Sequence, residues 1–203
     1  MNKNPWKSMW FGPTKTMRYL ISNRPGYGVA ALSVLYGVLL NLRGIYTLPG
    51  DLGISVPVSL ALILTAGSIL GLVSIYARGL VLSLCSRVFK LRSHGPNLRT
   101  AIAWSSLPIL AGDALSFGFL SVEYLLFQRA ASGAVPLLIA QIYSISSSFI
   151  HVSVFVGAWI WMLILLVSSL SVVFHTNRKR IATMLTVYVI VIELPLLFLE
   201  FSL

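Results

Sequence analysis

Carboxylates are scarce in this sequence: five among 203 residues, against fifteen lysines and arginines. Charge of either sign is scarce as well, at 10% of residues, while 57% are hydrophobic. A soluble domain is about a quarter charged. This chain therefore cannot cover a globule with polar side chains, and a membrane is the solvent its composition requires. Cysteine is nearly absent. Cys85 stands alone, which excludes an intrachain disulfide and leaves the redox compartment open. The sequence holds no Gly-x-Ser-x-Gly elbow, His-Glu-x-x-His, phosphate-binding glycine loop or Cys-x-x-Cys. His94, His151 and His175 lie far apart along the chain, with no metal-ligand spacing. The expectation is a non-enzymatic protein with no catalytic residue, no metal and no cofactor.

What is present is apolar sequence in long runs, punctuated by cations. Five runs are long enough for a bilayer, which takes about 20 helical residues: about 27–47, 55–77, 100–127, 150–174 and 181–201. No small-residue cleavage site follows a short apolar core, so the first run is expected as a retained span. The fourth stretch is too long for one crossing. From Pro136 to Phe174 it would make roughly 58 Å of helix, about twice the hydrocarbon thickness. The serine run "SISSS" at 144–148 is its weakest part against lipid. An interfacial or re-entrant helix is therefore expected at about 135–147, ahead of the span. The domain reading is an N-terminal segment, 1–26, and one transmembrane domain, 27–203. The fold class is all-α, a polytopic helix bundle.

The net charge of +10 raises nucleic acid as a partner. The cations exclude it, because they sit in short segments between apolar runs. With the N-terminus in the cytoplasm, thirteen of the fifteen basic residues fall on that side, and only Arg43 and Arg129 lie on or near the other. Six spans would put "RKR" at 178–180 outside, so five spans, N-in and C-out, are expected. Trp6, Met9 and Trp10 share one helical face before Gly12-Pro13; Met17, Leu20 and Ile21 repeat the spacing after it. Lys7, Lys15 and Arg18 can point elsewhere. The pattern predicts a pair of in-plane amphipathic helices, with tryptophan at headgroup depth and cations toward anionic lipid. It fits an anchor for the first span, the simpler and preferred reading, or a partner-binding surface. A second basic amphipathic segment, 78–95, is expected on the same side.

Each intramembrane acid needs a reason, because it costs about 2.5–3.5 kcal/mol at mid-depth. Asp113 and Glu193 fall at similar depth in the third and fifth spans. Arg43, Glu123 and His151 fall toward the outer ends of theirs. These five form either a structural network, with Arg43 paired to Asp113 or Glu123, or a polar cavity for a lipid headgroup, ion or proton. Pro108 and Pro195 predict kinks near the two deep acids. "GSILG" (Gly67 and Gly71) is a small-xxx-small packing pattern, internal or between two copies, and Gly37 and Gly44 give the first span a similar stripe.

Three stretches in this order, "NPWKSMWFGPTKTMRYLI", "LRTAIAWSSLP" and "GAWIWMLILLVSSLSVVFHTNRKRIATMLTVYVIVI", resemble the Yip family, the Ypt/Rab-interacting membrane proteins, in its short prokaryotic form. The resemblance covers nearly the whole chain. It implies a multi-pass protein that organises or shapes membrane and binds membrane-protein partners, in the cytoplasmic membrane if the source is prokaryotic. Eukaryotic members bind Rab-type GTPases. They also carry a long cytosolic region before the spans, which this sequence does not show, so GTPase binding is a doubtful carry-over. The expected partners are anionic lipid and other membrane proteins or a second copy. The alternative is a small transporter or lipid-handling protein whose cavity is lined by Arg43, Asp113 and Glu193.

Overall fold

The computed structural model describes residues 4–45, 53, 55–91 and 95–193; the side chains of Arg43, Ile192 and Glu193 lie outside that description. The described residues are helical, with no strand among them. The helices are α1 Pro5–Phe11, α2 Pro13–Asn23, α3 Val29–Asn41, α4 Val56–Val88, α5 Gly95–Ser105, α6 Leu107–Ala131, α7 Leu137–Val173 and α8 Arg178–Tyr188. A 3-10 turn, Leu42–Ile45, follows α3, and a π-helical turn, Val189–Glu193, follows α8.

Among the described residues, three segments are long and apolar enough to cross a membrane: Val56–Val88, Gly95–Ala131 and Leu137–Val173. Only 11% of the most apolar window of α7 is buried by protein. Phe149 is 78% exposed and Ile145 69%. Apolar faces this extensive are stable against hydrocarbon, not water; the chain is a membrane protein.

The packing divides into two units: residues 1–30, 73–105 and 163–203, and residues 31–72 with 106–162. In the first, Asn4 caps α1 by accepting the Trp6 N–H at 3.0 Å, with Pro5 at the first helical position. Gly12 closes α1 through Ser8 O, and Pro13 starts α2. Thr16 Oγ1 reaches back to Ser8 Oγ at 2.9 Å and pins the two helices together. Met9, Met17 and Leu20 are fully buried, so the apolar stripe of the pair packs on protein. Lys7, Lys15 and Arg18 are exposed. α2 packs on α5.

In the second unit α3 and α4 approach backbone to backbone. A methyl on Gly37 would fall 2.5 Å from the Gly71 nitrogen, and one on Gly67 would fall 2.9 Å from the Gly37 carbonyl oxygen. Only glycine permits this crossing. Gly112 plays a milder version of the same part on α6, where a methyl would meet Ala158 of α7 at 3.1 Å.

Several expected boundaries move. The third run is two helices, because Pro108 has no N–H for the Trp104 carbonyl and the chain turns at Ser106. The second run extends to Val88, absorbing most of the segment expected as a separate amphipathic stretch at 78–95. Residues 135–147 are not a separate helix: α7 runs unbroken from Leu137 to Val173. The serine run does not break it, because Ser146 and Ser148 hydrogen-bond carbonyls four residues back and Ser144 and Ser147 find an acid on α6. The first run is helical over Val29–Asn41 and the last over Arg178–Tyr188; residues 194–201 of the expected fifth span lie outside the described residues.

Candidate functional site

Two places gather the polar and aromatic side chains of interest, one in each unit. In the second unit the site is a polar cluster between α6 and α7. Glu123 on α6 accepts hydroxyl hydrogen bonds on both oxygens, from Ser144 at 2.7 Å and Ser147 at 2.8 Å. Ser144 and Ser147 are three apart, so they stand on one face of α7. One turn on, His151 Nδ1 lies 2.8 Å from Ser116 Oγ of α6. A cavity of about 130 Å³ opens here, lined by Ser116, Phe119, Glu123, Ser147 and His151 among others. Hydroxyl donors thus meet both oxygens of the acid. They supply what an acid in an apolar helix pair requires.

The sequence expectation paired Glu123 or Asp113 with Arg43. Glu123 is held by serines of α7; the expected pairing with Arg43 falls on a side chain outside the described residues. Asp113 is buried on α6, three residues before Ser116 and so on the same helical face. Glu193 ends the π-helical turn, and its side chain is likewise outside the description. Of the five candidate polar residues, the cluster therefore brings two together, Glu123 and His151. No group of three His, Cys, Asp or Glu side chains suited to a metal gathers among the described residues.

In the first unit the centre is Trp104, fully buried on α5. Its indole N–H donates to the Tyr27 carbonyl at 2.8 Å. Its ring lies 4.9 Å from that of Trp6 and 6.2 Å from that of Tyr27, centroid to centroid. Gly28, at φ +73°, lets the backbone pass the indole at a distance a methyl would narrow to 3.1 Å. Thr100, one turn before Trp104, accepts the Gly26 N–H at 3.0 Å. Trp6 is 40% exposed, with one side of its ring against protein, and Trp10 is half-buried. A cavity of about 390 Å³ borders this hub, lined by Asn4, Trp6, Tyr19, Arg24 and Tyr27 among others.

No protein-family model, curated protein or solved structure matches this chain.

The arginines of "RKR" hold helices together. Arg178 donates to Thr14 Oγ1 of α2 at 3.1 Å, and Arg180 donates at 2.6 Å to the Phe89 carbonyl, just past the end of α4. A cation at a helix C-terminus also meets its negative dipole end. Sequence reasoning placed these residues by side of membrane and missed their bonds. Nothing in local spacing announces a partner 91 or 164 residues away. Trp104 was missed as a hub for the same reason. Its only signal was the unusual polarity of "AWSSLP" inside an apolar run.

Proposed function

We propose that this is a five-span integral membrane protein of the Yip type, N-in and C-out. It organises or shapes the membrane and binds membrane-protein partners through a basic cytoplasmic face. It is non-enzymatic, and its membrane is the cytoplasmic one if the source is prokaryotic. The observation that carries the reading is that parts of all three stretches resembling that family meet in the first unit. The Trp6 ring of the first stretch packs tilted against Trp104 of the second, 4.9 Å between centroids; Ser105 of the second lies 3.4 Å from Ser169 of the third; Arg178 of the third bonds Thr14 of the first. The same packing leaves Lys7, Lys15, Arg18 and Arg24 exposed, and each adds about 1 kcal/mol of attraction to an anionic leaflet.

The test is reconstitution into vesicles with and without phosphatidylserine, imaged by electron microscopy. Vesicle remodelling should require the anionic lipid and should vanish when Lys7, Lys15 and Arg18 are all changed to glutamate. Remodelling that survives that variant refutes the basic face as the working surface. Topology is checked separately in a Cys85→Ser background. Single cysteines at Lys7 and Lys179 should be labelled from the same side of the membrane; opposite sides would sink the five-span reading.

A second reading, a small transporter or lipid-handling protein, draws on the cavity at Glu123 and His151. Uptake by proteoliposomes that Glu123→Gln abolishes, without loss of folding, would favour it.

A further inference from the structure

A cleft of about 930 Å³ in the first unit lies where α2 faces the turn from α7 into α8. Among its lining residues are Arg18, Arg178, His175, Thr14, Ser22 and Thr176. Its chemistry is one-sided. The three helices that build it, α2, α7 and α8, contain no aspartate or glutamate anywhere in their length. Two guanidinium groups and several hydroxyls therefore share a cleft with no carboxylate from their own elements. Arg178 is fixed in place by its bond to Thr14 at 3.1 Å. Asn177 caps α8 by accepting the Lys179 N–H at 3.1 Å, and Asn177 and Arg178 both line the cleft. The positive end of the α8 dipole thus lies at the same wall.

We propose that this cleft binds a phosphomonoester, with the phosphate between Arg18 and Arg178 and its attached group filling the rest. A phosphomonoester carries close to two negative charges and three acceptor oxygens, which suits two forked cations ringed by hydroxyls. A carboxylate uses fewer of those donors. The volume exceeds what an inorganic ion needs and falls within the range of small-molecule sites. The ligand is therefore a phosphate carrying a glycerol- or sugar-sized group, either the headgroup of a lipid or a free compound.

The inference deepens the proposed reading, since Arg18 belongs to the basic face. It is tested by binding rather than by vesicle shape, so either can fail alone. The purified full-length chain in detergent is titrated calorimetrically with short-chain phosphatidic acid, short-chain phosphatidylserine and glycerol 3-phosphate. Phosphatidic acid should bind more tightly than phosphatidylserine. Arg18→Gln and Arg178→Gln should each weaken it about tenfold, the loss of one charge-assisted contact. Arg178→Lys should recover part of that loss, because it keeps the charge but not the fork. Lys179→Gln, one residue away and outside the cleft, should change nothing. Arg178→Gln also removes the bond to Thr14. Arg18→Gln, at an exposed position with its thermal unfolding checked, keeps the test valid if the Arg178 variant misfolds. Glycerol 3-phosphate binding with the same arginine dependence assigns a free ligand; lipid binding alone assigns a headgroup. Equal affinity for the two lipids, equal loss in Lys179→Gln and Arg18→Gln, or no binding at all overturns the proposal.

Discussion

Gly37→Ala sets two opposing effects against each other at one position. Alanine is the better helix former by about 1 kcal/mol, so substitution in the middle of α3 would stabilise an isolated helix. Against this, the new methyl would sit 2.5 Å from the Gly71 nitrogen and 2.6 Å from its Cα. Both are backbone atoms of α4, so no rotamer change relieves the clash. The Gly67 carbonyl oxygen would be closer still; ordinary contact needs about 3.5 Å or more, so the helices must separate by more than about 1 Å. A gap of that size forfeits a quarter to a half of each dispersion contact along the crossing. Van der Waals packing is also what drives helices together in lipid. Overpacking of this kind costs about 1–3 kcal/mol. The crossing needs more adjustment than most, so the upper part of that range applies. Net of the propensity gain, Gly37→Ala should destabilise by about 1–2 kcal/mol, or about 2–8 °C in Tm at this chain length. Gly118 and Gly157 have nothing within 4 Å of an added methyl; their alanine variants should hold or raise Tm. Thermal unfolding in detergent, followed by the fluorescence of the five tryptophans, reads all of them. A Gly37→Ala protein as stable as the parent would refute the close crossing. Gly71→Ala should resemble Gly37→Ala, and the double variant should fall short of the sum because both methyls contest one gap.

Trp104→Phe keeps much of the packing but removes the donor to the Tyr27 carbonyl; a loss of about 1–2 kcal/mol is expected by the same melt, and a Tm equal to the parent's would dismiss the indole bond. Glu123→Ala strips Ser144 and Ser147 of their shared acceptor. Membrane hydrogen bonds average about 0.6 kcal/mol each, so about 1–2 kcal/mol should be lost, and less in Glu123→Gln; identical effects of the two would argue against the serine bonds. Lys90 and His175 hold φ of 54° and 49° at the ends of α4 and α7. Both are exposed C-cap positions where glycine avoids a cost of about 1–2 kcal/mol, offset partly by its looser unfolded chain. Lys90→Gly should raise Tm slightly, and a clear drop would show that the lysine side chain matters there.

Much of this protein was legible before any coordinates. The scarcity of charge and the length of the apolar runs point to helices in lipid, because only helices and closed barrels satisfy the backbone there and barrel strands are shorter and alternate in polarity. The Gly-Pro break between α1 and α2 and the shared apolar face of Met9, Met17 and Leu20 follow from periodicity; that this face packs on protein rather than in the membrane interface does not. The error at 135–147 had a physical source. Serines were weighed against lipid, whereas Glu123, 21 to 24 residues earlier, was there to receive two of them.

Composition and the length of the apolar runs, then, settled the solvent and the helical class, since those depend on local sequence alone. Only the tertiary structure decided that Gly37 meets Gly67 and Gly71, that Trp104 anchors Trp6 and Tyr27, and that Arg178 and Arg180 clamp distant helices. Those contacts join residues tens to more than a hundred positions apart. Short-range pattern says which side chains need a partner, and packing alone says which partner arrives.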